Sequence, residues 1–148
     1  MAAFCGLLFA AAFVFAWGYF DAEHAHFQVL MLLFLAAMVG FCLTRDLFNL
    51  FVFLEIVSVG TYGLLALSTD RKGVQAAFKY VTATMVASAL VLLGAVLLYE
   101  YTGHLNIDLL IEAAPPLAAP LTGIALTMLL AGFLIEMKPY PAGGWGLD

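Results

Sequence analysis

The chain has 148 residues, of which 66% are hydrophobic and 10% charged. A soluble domain sits nearer roughly half apolar and a quarter charged, so a water-soluble globule is excluded and an integral membrane protein is expected. The net charge of −5, with no basic patch to hold phosphates, excludes nucleic-acid binding.

The apolar runs approach or exceed the ~20 residues that cross a bilayer as helix. The first covers about 2–20. No Lys or Arg precedes Arg45, so the basic start of a signal peptide is missing. Trp17, Tyr19 and Phe20 suit an interfacial aromatic belt instead. Residues 21–26 (DAEHAH) read as a short polar loop, whose two histidines have no third metal ligand nearby. The second helix runs over about 27–43. Thr44, Arg45 and Asp46 make a tight polar turn, with Asp46 as N-cap of the third helix, about 47–67. Gly60 and Gly63 in that helix allow a neighbour to approach closely. Residues 68–73 (STDRKG) form the most basic loop.

The fourth helix covers about 74–101, with Tyr99 and Tyr101 at the far interface. Residues 102–120 form the longest connection, holding Pro115, Pro116, Pro120 and a short amphipathic piece around 107–112. The fifth helix runs over about 121–138, reaches Glu136 and Lys138, and is broken at Pro139 and Pro141. Cys5 and Cys42 lie in apolar segments and read as small packing residues. The expected fold is therefore all-α: one polytopic membrane domain over 1–148 with about five transmembrane helices. Arg71 and Lys72 against Arg45 bias the chain towards an external N-terminus.

Two ionisable residues lie well inside apolar register, Glu55 and Lys79. A charge at that depth is costly unless paired, hydrated or neutralised, and neither helix needs one to insert. The expectation is that the two face each other, or a shared wet cavity, and handle protons or cations. Ser58 and Tyr62 share a face with Glu55, at i+3 and i+7; Gln75 shares one with Lys79, and Thr82 follows at i+3. A static ion pair that fixes helix packing is the plainer alternative. Glu136 and Lys138 form a second constellation with two readings. Broken helices with charges at the break recur at transporter ion sites; equally, a helix ends at the interface and Lys138 snorkels into the headgroups. No phosphate loop, nucleophile triad or haem-type histidine pair is present, so no catalytic site, metal or cofactor is expected.

The runs DLFNLFVFLEIVSVGTYGLLAL, AAFKYVTATMVASALVLLGAVLLYEYTGHLNI and AGFLIEMKPYPAGGWGLD resemble the proton-translocating antiporter-like membrane subunits. That family includes subunits of NADH:quinone oxidoreductase (complex I), of the Mrp sodium/proton antiporters and of membrane-bound hydrogenases. The short connection from Glu to Lys looks closer to the latter two. The resemblance implies that Glu55 is the family's essential glutamate, that Lys79 is its lysine partner, and that the fifth helix is its discontinuous helix. Pro141, Trp145 and Asp148 keep the tail pattern. Glu136 stands where the family places its central lysine, and Lys138 lies two residues on, about 200 degrees round an ideal helix. Gly143 replaces the tail histidine. The family fold holds two inverted five-helix repeats; this chain carries one, corresponding to the N-terminal repeat, and reads as a fragment or one piece of a split subunit.

What the resemblance implies for function is proton or sodium/proton translocation within a redox-driven complex of several membrane subunits, in the bacterial inner (plasma) membrane. A non-conducting scaffold or assembly subunit is the alternative. A self-sufficient small exporter is a third reading, and it requires oligomerisation.

Overall fold

Helices are the only elements whose backbone hydrogen bonds all close within one segment, which a lipid environment demands. The computed structural model describes residues 1–17, 24–66, 71–113 and 120–137. Within them lie six helices: α1 (Ala2–Trp17), α2 (His24–Leu43), α3 (Leu47–Ala66), α4 (Arg71–Thr102), α5 (Ile107–Ala113) and α6 (Pro120–Met137). Four of these, α2, α3, α4 and α6, are long and apolar enough to cross a membrane, and α1 is a shorter apolar helix. The chain is thus a multi-pass α-helical membrane protein.

Packing follows chain order, α1 on α2, α2 on α3 and α3 on α4, and the most extensive pairing joins α4 to α6. The α4–α6 seam is built from small residues. A Cβ on Gly132 would lie 2.6 Å from the Ala87 carbonyl oxygen, and one on Gly94 would lie 2.8 Å from that of Ala125. Backbones approach this closely only where side chains are missing. Around the seam cluster Val91, Ala95, Leu98, Ala125 and Leu129. Gly60 and Gly63 serve the α2–α3 contact as expected: their empty Cβ positions face Phe34 and Leu30.

The boundaries differ from the expected ones where polar residues are helical. His24 and His26 belong to α2 and not to a loop, and α4 starts at Arg71, three residues before Val74. Charged and polar residues are at home in the first turn of a helix that emerges from the bilayer, but they carry no apolar period to betray it. Trp17 is exposed, in keeping with a belt position; Tyr19, Phe20, Lys138, Pro139 and Pro141 lie outside the described residues, and so does the expected break. The short piece around 107–112 is present as α5.

One end of the bundle is tied by a small backbone clamp. Leu47 N donates to Leu105 O at 2.9 Å, and Ile107 N donates to Arg45 O at 2.8 Å. Arg45 also pairs with Asp108 at 2.9 Å. Both side chains are largely exposed, so that pair is worth little. Asp46 Oδ1 accepts from Asn49 N at 2.9 Å, and Asn106 Oδ1 accepts from Asp108 N at 2.9 Å, capping α3 and α5. Between α4 and the clamp the chain reverses at Gly103, whose φ of 71° is left-handed and suits glycine. Replacing Asp46 with Ala should destabilise the fold by about 1 kcal/mol, the usual worth of an N-cap. Thermal unfolding in detergent checks this; an unchanged midpoint would mean water caps the helix equally well.

Candidate functional site

The α3–α4 seam carries the polar groups. Tyr62 Oη lies 2.7 Å from Thr84 Oγ1. Thr84 is buried and donates its own proton to the backbone carbonyl of Tyr80 at 2.9 Å or of Val81 at 3.1 Å, so Tyr62 is the donor across the seam. The Tyr62 ring meets the Tyr80 ring edge-on, centroids 5.6 Å apart. Ser58, one turn before Tyr62, and Ser88, one turn after Thr84, are both buried. Glu55, on the same face of α3, is half-buried.

Lys79 is placed differently. It is exposed and lines an open surface groove with Val74, Gln75 and Phe78, all from α4. Thr82 is also exposed, and its hydroxyl donates to its own helix at the Phe78 carbonyl, 2.9 Å away. Gln75, Lys79 and Thr82 therefore form an outward stripe. Among the described residues no ion pair joins Glu55 to Lys79, whereas Arg45 and Asp108 do pair. Tyr62 lies level with residues 80–84 of the antiparallel α4. Seven residues earlier, Glu55 is level with about residue 89. Lys79 is then ~15 Å away along the helix axis, at 1.5 Å per residue. The expected direct juxtaposition is not what the helices make. Glu55 and Lys79 stand at different depths, with the Tyr62–Thr84 hydroxyl pair at a level between them.

The second constellation lies on α6, which packs against the same inward row of α4 beside α3. Gly132 sits against Ala87 and Val91, so Glu136, one turn on, is level with about residue 85, the depth of Thr84. Glu136 is half-buried, and its Oε1 is shielded from solvent. Its depth lies between those of Glu55 and Lys79. Lys138 falls outside the described residues.

Three buried hydroxyls are not singled out by the sequence pattern: Thr84, Ser88 and Thr122. Thr84 and Ser88 stand at i and i+4 within an otherwise apolar run, a spacing that gives the signal for a polar stripe on the inward face of α4.

A bundle of apolar helices with ionisable groups at different depths defines a polytopic α-helical membrane subunit. The family profile described as NADH:quinone oxidoreductase/Mrp antiporter, TM, matches residues 44–148, and the chain belongs to this family. It is 39% identical over 150 aligned positions to NADH-quinone oxidoreductase subunit N of Desulforudis audaxviator, covering 98% of this chain and 29% of that protein. It is 37% identical over 123 positions to a probable K(+)/H(+) antiporter subunit of Rhizobium meliloti, covering 81% of this chain and 23% of that one. These two identities do not favour the antiporter side over the complex I side. Respiratory complex I from Thermus thermophilus with bound aureothin contains a chain of similar fold. It superposes with a TM-score of 0.73 at 31% identity over 86% of this chain and 28% of its own. The chain spans less than a third of the length of each of these relatives.

Proposed function

We propose that this chain is an ion-translocating subunit of a redox-driven membrane complex, moving protons, or protons against sodium, through Glu55, Glu136 and Lys79. The observation that carries the reading is the Tyr62–Thr84 hydrogen bond, at 2.7 Å. It sets two hydroxyls in the seam at a depth between Glu55 and Lys79. A carboxylate and an ammonium ~15 Å apart do not exchange a proton directly. Hydroxyls and water at intermediate depth divide that distance into hydrogen-bonded steps, which is how intramembrane relays are built.

Lys79 on an open face of α4 supports a second element of the proposal. Lys79, ~15 Å along the axis from the mid-span level of Glu55, stands near the edge of the hydrocarbon core; a neighbouring membrane subunit, or more of the same fold, covers that face in the working assembly. Motion there shifts the charge on Lys79, and the ladder passes the change to Glu136 and Glu55. In this assembly the chain transfers no electrons. The complex lies in the plasma membrane with the N-terminus outside, since Arg71 and Lys72 then face the cytoplasm.

The scaffold reading draws on one observation, the glutamate at 136 where the family resemblance implies a lysine. Lys79→Ala separates the two. On the transport reading, the complex assembles near its normal yield and ion movement per turnover falls about tenfold or more, a change of ~1.4 kcal/mol or more in the transfer step. On the scaffold reading, yield on native gels falls and the complexes that remain pump normally; that result would overturn the proposal.

A further inference from the structure

At the clamped end of the bundle, α5 flanks an open groove of about 460 Å³ between the start of α3, the end of α4 and α6. Its walls are aliphatic, with Leu50, Leu98, Leu110 and Leu126 around the middle and Phe133 at the far end. That size lies within the ~300–1,000 Å³ of ligand pockets. It is about three times the ~150 Å³ apolar cavity that stays dry and accepts benzene.

One polar side chain lines the groove, Thr122. Thr122 is 2% exposed, and its Oγ1 has no hydrogen-bond partner among the described residues. Thr84, Thr102 and Thr127 each turn their hydroxyl onto the carbonyl four residues back in their own helix. Thr122, in the first turn of α6, makes no such bond. A buried hydroxyl left without an acceptor costs more than one hydrogen bond returns. An acceptor brought by a ligand would remove that cost.

The zoning of the groove identifies the ligand. From Thr122 to Phe133 is eleven residues of α6, ~16 Å. Half of the ~30 Å hydrocarbon core of a bilayer is about the same length, so the apolar part matches the tail of one leaflet. α5 turns Leu109 outward, sets Ile111 at the rim of the groove and carries Asp108 and Glu112, the mixed character of a helix lying at the headgroup boundary. Just outside is Arg45, 72% exposed beside Asp108. We infer that this groove binds one acyl chain of a membrane glycerophospholipid. The ester carbonyl accepts a hydrogen bond from the Thr122 hydroxyl, and the phosphate lies next to the Arg45 guanidinium.

The test uses the full chain, purified in mild detergent with phosphatidylglycerol bearing a photoreactive group midway along one acyl chain. After washing into lipid-free detergent, native mass spectrometry should find one diacyl lipid per chain. Illumination should label α6 between Leu126 and Phe133. Thr122→Val should lower retention about three- to tenfold, the worth of one hydrogen bond. Leu126→Trp, which fills the groove, should abolish it. Val86→Trp, on the open face of α4, should leave it unchanged. The inference is overturned if the washed chain carries no lipid, or if label spreads over the exposed faces. It also fails if the retained molecule is a prenyl quinone, or if Thr122→Val and Leu126→Trp both retain lipid as the unaltered chain does. The labelling pattern of the unaltered chain decides even if a variant fails to fold.

Discussion

Replacing Glu55 with Gln will abolish coupled ion movement by the membrane complex that contains this chain, and it will leave assembly unchanged. Glu55 lies eight residues, ~12 Å, beyond Leu47 along α3, so it sits near the middle of a span of 19 residues. An ionised side chain at that depth costs about 2.5–3.5 kcal/mol on insertion scales and more on others. Gln has nearly the same shape and keeps a carbonyl acceptor, but it neither binds nor releases a proton. Insertion and packing are therefore unharmed or slightly improved, and only the transfer step is lost. Proton uptake by proteoliposomes, measured beside electron transfer and yield on native gels, separates these effects. Pumping that survives the exchange removes Glu55 from the pathway and leaves the buried Tyr62–Thr84 pair as a packing contact.

The contrast between Glu55 and Lys79 shows what the sequence makes legible. That each is an ionisable group within an apolar helix follows from one-dimensional pattern alone. So does the Glu55–Ser58–Tyr62 face, because helical periodicity fixes which residues of one helix share a side. Which side of α4 faces α3 does not follow. The fourth helix has both an inward row, Thr84, Ala87, Ser88 and Val91, and an outward row, Phe78, Lys79, Thr82 and Met85. Each row holds two apolar residues and two polar or charged ones, so composition does not say which faces the protein and which the lipid. Lys79 is then easily assigned to the inward row, although the helix turns it outward. The same cause hides Thr84, whose hydroxyl looks like any other in a lipid-facing stretch until Tyr62 is placed 2.7 Å away. The position of α5 is legible from its amphipathic composition. The clamp through Arg45, Leu47, Leu105 and Ile107 is not, since backbone hydrogen bonds between distant turns leave no trace in residue type.

Gly132→Ile will prevent α4 and α6 from packing and will destabilise the chain by about 3 kcal/mol or more, beyond the range of an ordinary surface exchange. At Gly132 the first atom of any side chain would lie 2.6 Å from the Ala87 carbonyl oxygen, 2.6 Å from a Val91 methyl and 3.1 Å from the Val91 nitrogen. Two of those three neighbours are backbone, which cannot rotate aside as a side-chain tip does. The helices must separate, and separation uncovers Val91 and Ala125, both fully buried now. In lipid the loss is not offset by a hydrophobic drive to reassociate, because tails are as apolar as the seam itself; close van der Waals packing is what holds such a pair. Gly123, earlier on the same helix, has nothing within 4 Å of its Cβ position. Gly123→Ile changes the same helix by the same chemistry and is expected to leave the melting temperature in detergent close to normal. If both substitutions lower it equally, the cost lies in the helix or its insertion and not in the seam. If neither does, α4 and α6 are not held by their close backbone approach, and the depth assigned to Glu136 through that contact fails with it.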